Sequence, residues 1–145
     1  MSNFAMIIPV ILLALGLTPA FAADTAPDPA AILQEARASI DAGDYAGAMA
    51  SLTEVVAADP KNADALNLLG YASRKSGDLA NAASYYEAAL AINPSHFGAL
   101  EYQGEMFLMT DQADAAKANL AKLEAECAPC GEYDDLAAAV AAAGV

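Results

Sequence analysis

Cysteine is the side chain here best suited to covalent chemistry, and it occurs twice, as Cys127-Ala-Pro-Cys130. A C-x-x-C pair offers a disulfide, thiol exchange or metal binding through thiolate. Exchange needs a thiolate held by positive surroundings. Here Glu124 and Glu126 come before, Glu132, Asp134 and Asp135 follow, and no strand–helix–strand pattern carries the pair. A soft-metal site would add Met106, Met109 or His96, because sulfur ligands select Cu(I). Met106 and Met109 are three apart on a helical stretch, a spacing at which methionine usually fills core. His96 is the only histidine, so a Ser–His–Asp centre would have to use it, and no nucleophile-elbow motif accompanies it. There is no Gly-rich phosphate loop and no zinc-ligand cluster. The expectation is a chain that is not an enzyme and holds no cofactor and no metal. Its surroundings favour a structural disulfide between Cys127 and Cys130, with thiol-redox or copper handling through the same two residues as the alternative. A disulfide closing so short a loop contributes about 2 kcal/mol in the chain-entropy view.

What positions these residues is a chain of 145 residues, enough for one modest domain. Its net charge of −13 and its lack of any Lys/Arg cluster argue against a nucleic-acid partner and against an anionic membrane surface. The 39 alanines favour helix, with Gly and Pro as punctuation. Met6 to Leu17 is an apolar run too short to span a bilayer, and Ala20-Phe21-Ala22 after it resembles a cleavage signal. Residues 1–22 therefore read as a signal peptide cut before Ala23, with no membrane insertion afterwards. The mature protein is expected to be periplasmic or secreted, a compartment in which disulfides persist. Residues 23–28 form a short lead-in.

From Asp28-Pro29 onward the chain repeats itself. Residues 43–60 read GDYAGAMASLTEVVAADP and residues 77–94 read GDLANAASYYEAALAINP, thirty-four places later. Ala99, Leu100, Gly104 and Ala116 repeat Ala65, Leu66, Gly70 and Ala82 at the same interval. The spacing predicts three helix–turn–helix units, 29–62, 63–96 and 97–130, and a capping helix over 131–145. Closest helix approach is expected at Gly70 and Gly104 on first helices and at Ala48, Ala82 and Ala116 on second helices. Leu52, Tyr86 and Leu120 would fill the space beside each crossing. In the tail, Tyr133, Leu136 and Val140 define the apolar face that covers the last open repeat surface.

Leu66-x2-Leu69-Gly70 with Ala82-x3-Tyr86 and Pro94 resembles the tetratricopeptide repeat family, although Ser73 stands where a Tyr is usual. Weaker units surround it, with Ala48-x3-Leu52 and Pro60 before and Gly104-x2-Phe107 and Ala116-x3-Leu120 after. The resemblance covers residues 29–129 and implies an all-α fold, a short right-handed α-solenoid whose first helices line a concave groove. It also implies a non-enzymatic module that binds a peptide or protein segment, here of another exported or envelope protein. Carried onto this sequence, the groove comprises Leu33, Arg37, Asn67, Tyr71, Arg74, Glu101, Glu105 and Leu108. Arg37 and Arg74 would hold one carboxylate between adjacent repeats, with Tyr71 as an anchor.

Overall fold

The computed structural model describes residues 28–145, so the expected signal peptide and nearly all of the lead-in lie outside the described residues. Seven helices follow: α1 Pro29–Asp41, α2 Tyr45–Ala58, α3 Ala63–Lys75, α4 Leu79–Ile92, α5 Phe97–Met109, α6 Ala113–Glu126 and α7 Gly131–Ala143. No strand and no helix long and apolar enough to cross a membrane occurs among the described residues. Sequential helices pack as antiparallel neighbours and build an all-α solenoid.

The helix boundaries follow from local chemistry. Asp28 accepts the Ala30 N–H with Pro29 beside it in the first turn, and Asp44, Asn62 and Asp78 accept the N–H three residues on. Gly43 and Gly77 take positive φ, +80° and +88°, just after the C-cap residues Ala42 of α1 and Ser76 of α3. In each case the following Asp N–H returns to a helix carbonyl, Asp44 to Ser39 at 2.8 Å and Asp78 to Ser73 at 2.9 Å. That is the Schellman closure, which a residue without a Cβ adopts at no steric cost. α2 and α4 stop at Asp59-Pro60 and Asn93-Pro94, where proline disfavours helix at the preceding residue.

Small residues set the helix crossings. A methyl group at Gly70 would lie 2.6 Å from the Tyr86 ring, so α3 and α4 approach as closely as their side chains permit. Ala48, Ala82 and Ala116 are fully buried at their crossings, as are Leu52 and Tyr86 beside the first two. The third crossing departs from the expectation. Leu120 is only half-buried, while Leu123 and Leu136 are completely enclosed. The notch at Gly104 is filled by Leu136 of α7, 2.6 Å from where a Cβ would stand. α7 takes the place a following repeat would occupy and packs mainly on α5. Leu136 and Val140 close the core there with Leu100, Ala116 and Leu123.

Candidate binding groove on the first-helix face

The first helices α1, α3 and α5 share one face, and a cleft of 210 Å3 opens on it. Arg37, Ile40 and Asp41 of α1, Leu68 and Tyr71 of α3 and Tyr102 of α5 line it. The register explains the set, because Ile40 and Asp41 lie one helical turn beyond Arg37, and Leu68 lies one turn before Tyr71.

Of the eight residues expected in the groove, the structure sorts three away from open surface. Leu33, Asn67 and Glu101 occupy equivalent places in the three units, and all are buried. Leu33 belongs to the core with Ala36, Leu52 and Leu69, so it is corrected from groove lining to core. The physical reason is the offset between neighbouring repeats, which lays the next first helix over this row. Asn67 has an unpartnered buried Oδ1, and its Nδ2 lies beside Gly98 at the start of α5. The rows at 37, 71, 105 and at 74, 108 stay at least partly open.

Arg37 and Arg74 are not brought together on one carboxylate. Arg37 lines the cleft, whereas Arg74 is already claimed by Glu105, Nη2 to Oε2 at 2.7 Å, and lines a second cleft. The Arg74 side chain is 9% exposed, and its guanidinium lies 5.3 Å from the Tyr71 ring centre and 5.7 Å from that of Tyr102. The two rings are 4.7 Å apart and tilted by 59°. This aromatic–guanidinium–carboxylate stack ties α3 to α5 and fixes Tyr71 in the cleft wall. Behind it the Tyr86 hydroxyl is buried without a partner of good geometry, and burial raises its pKa well above the ordinary phenol range. Burial likewise pushes the Tyr102 hydroxyl up to about 12.

Ile40, Asp41, Leu68 and Tyr102 were missed by the residue-by-residue transfer of the groove. Their signal was nonetheless present, since each lies one position or one turn from an expected residue on the same helix face.

At the far end, Glu101 is 7% exposed. Burial raises its carboxyl to about 8, and the carboxylates of Glu105, Asp135 and Glu132 add to the rise, with Arg74 opposing. The second cleft, of 450 Å3, runs from Arg74 and Glu105 past Leu108 and Met109 to Ala139, Ala142 and Ala143 of α7.

The residues singled out for chemistry are dispersed into structural duties. Cys127 and Cys130 are joined in a disulfide with their Cα atoms 5.7 Å apart, at the corner between α6 and α7. Met106 is in the core with Ala82 and Tyr86, while Met109 is 57% exposed. His96 caps α5, its Nδ1 accepting the Ala99 N–H at 3.1 Å and its Nε2 lying 3.0 Å from Asp64 of α3. An accepting Nδ1 places the proton of the neutral ring on Nε2, which donates to Asp64. Among the described residues, no group of three or more His, Cys, Asp or Glu side chains is arranged to hold a metal ion.

The sequence pattern of the tetratricopeptide repeat family matches twice, over residues 33–97 and 74–129. The chain belongs to the tetratricopeptide repeat family. Its relatives include cellulose synthase operon protein C of Escherichia coli strain K12 and the putative cellulose synthase operon protein C of Escherichia coli O157:H7. Each is 38% identical over 88 residues, covering 57% of this chain and 8% of the relative. The chain thus spans a small part of the length of these relatives. Repeats of this family characteristically mediate protein–protein contacts.

Proposed function

We propose that this chain is an exported, non-enzymatic interaction module that binds a peptide or protein segment across the face of α1, α3 and α5. The observation that carries the reading is the cleft beside Tyr71 and Tyr102, with Ile40 and Leu68 as apolar wall and Arg37 at its edge. Fixed aromatic rings supply large contact area at little entropic cost on binding. The partner is taken to be another exported or envelope protein. Because the relatives carry the name of a cellulose synthase operon, proteins encoded in such an operon are the first baits to try.

A photo-crosslinking side chain at Ile40 tests the reading, with the same probe at exposed Ala80 of α4 as control. One dominant adduct from Ile40, absent from Ala80 and lost on Tyr71→Ala while helicity stays unchanged, is expected. Capture that is indifferent to Tyr71→Ala rejects the groove. Periplasmic fractionation, with the mature amino terminus read by mass spectrometry, tests export and cleavage before Ala23.

A further inference from the structure

Charge is divided along the first-helix face. Around the first cleft stand Arg37 of α1 and Lys75 at the end of α3, neither of which has an ion-pair partner among the described residues. Arg37 lines the cleft, and Lys75 Nζ lies 5.8 Å from the Tyr71 ring centre. Asp41 is the acid in that cleft wall. The chain has only six basic residues against nineteen acidic ones, so two unpaired cations here run against the prevailing charge. On the α7 side the sign is the opposite. Glu105 of α5 and Glu132 and Asp135 of α7 surround the buried Glu101 closely enough to act on its carboxyl, and the cation that acts among them, Arg74, is already held by Glu105.

The second cleft adds a feature independent of those carboxylates. Met109 and Ala143, which line it, are the last residues of α5 and α7. Two helix C-termini therefore open there, and their free carbonyl groups favour positive charge. The floor is apolar, formed by Leu108, Met109 and Ala139. Lysine and arginine suit such a place, burying their methylene stems while the charged head meets carbonyl or carboxylate oxygen.

Building on the groove reading above, we propose that the bound segment is charge-segregated. Its acidic side chains lie against Arg37 and Lys75, an apolar or aromatic side chain enters the cleft beside Tyr71 and Tyr102, and its basic side chains lie between Glu105 and α7. A uniformly acidic segment would set carboxylates against Glu105 and Asp135, and a uniformly basic one would meet Arg37 and Lys75. Both juxtapositions are penalised, so the face selects by repulsion as well as attraction. Either chain direction satisfies the pattern.

Two short probe peptides of one composition test this, each with Glu, Lys and a central Leu-Tyr. In one the charges are segregated to opposite ends, and in the other they alternate. An all-Glu and an all-Lys version complete the set, and amide NMR shifts report binding and position. The segregated peptide is expected to bind roughly tenfold tighter than the alternating one and to move the signals of both Tyr71 and Leu108. The doubly reversed variant Arg37→Glu, Lys75→Glu alters only exposed side chains and should erase that preference. Equal binding of the two mixed peptides, or tighter binding of a uniform one, overturns the proposal. So does the absence of any peptide binding when the Ile40 adduct still depends on Tyr71, and in that case the groove reading survives. Loss of both results removes the two together.

Discussion

The second and third helix pairs occupy equivalent places in the 34-residue period, yet they are closed by different means. The α3–α4 turn has Gly77 at positive φ and Asp78 as cap, with Asn81 donating from its backbone at 3.1 Å and its side chain at 2.6 Å. The α5–α6 turn has Asp111 at φ 58° in the glycine position, and Gln112 makes no side-chain cap bond. At the crossing, Gly70 receives Tyr86 from its own pair, whereas Gly104 receives Leu136 from outside its pair. The second pair is self-sufficient, and the third is completed by the tail. That loan has an electrostatic consequence, because α7 brings Glu132 and Asp135 towards buried Glu101.

Equivalent side chains should therefore differ sharply in weight. Tyr86→Ala removes a fully enclosed ring and is expected to cost about 3–5 kcal/mol. Leu120→Ala, thirty-four positions on, should cost about 1–2 kcal/mol, since Leu136 holds the place that Tyr86 fills in the second pair. Urea denaturation of both variants decides, and similar losses would sink the contrast.

Next in size come the two notches. Gly70→Ala presses a methyl onto a confined aromatic ring and should cost about 1–3 kcal/mol, despite alanine's better helix propensity. Gly104→Ala meets the tip of a leucine on the terminal helix, which can shift, so its net effect should stay within about 1 kcal/mol. Amide exchange sharpens the distinction. The Gly104 change should loosen α7 selectively, while the Gly70 change should weaken α3 and α4 together.

How far the chain could be read in advance follows the same division. The period was legible because turns and crossings demand specific residues: Gly43 and Gly77 for the left-handed closure, Pro60 and Pro94 for the stops, Gly70 and Ala82 for close approach. Arg37 and Tyr71 on the open face came from the family resemblance carried onto single helices, and both stay at least partly exposed. Leu33, Asn67 and Glu101 did not, because their burial depends on how the neighbouring repeat is displaced, and that is a property of the pair. Arg74 reads as a free cation in sequence, but Glu105 on the next first helix claims it in space. Leu136 reads correctly as cap core, yet that it takes the seat expected of Leu120 rests on how far α7 leans over α5.

Glu101 gives the contrast a pH dependence. Its carboxyl, raised to about 8 by burial and neighbouring carboxylates, keeps its proton in the fold where the unfolded chain loses it near the ordinary value of 4.5. Between those two values the folded state binds more protons, so stability falls as pH rises through that window and is lowest above it. Glu101→Gln should remove this component and stabilise the protein by on the order of 1–3 kcal/mol near pH 8–9, with little change near pH 4. The readout is the difference in melting temperature between wild type and variant at each pH, which cancels the background repulsion of an acidic chain. A constant difference across the range would mean that Glu101 ionises normally.

The smallest expected effect is a repair. Gln112 holds the place of Asp44 and Asp78, whose carboxylates accept N–H groups at the starts of α2 and α4. Gln112 Nε2 turns back to the Thr110 hydroxyl at 2.8 Å instead. Its longer side chain serves poorly as an N-cap acceptor, leaving the first N–H groups of α6 without a side-chain acceptor. Gln112→Asp should supply that acceptor and place negative charge at the positive end of the helix, for a gain of about 1 kcal/mol. The same change also removes the Thr110 contact, so Thr110→Ala measured alone and in combination separates the two contributions. A gain in the Thr110→Ala background equal to or larger than that in wild type would identify the missing cap, and not the Thr110 bond, as what distinguishes the third turn from the second.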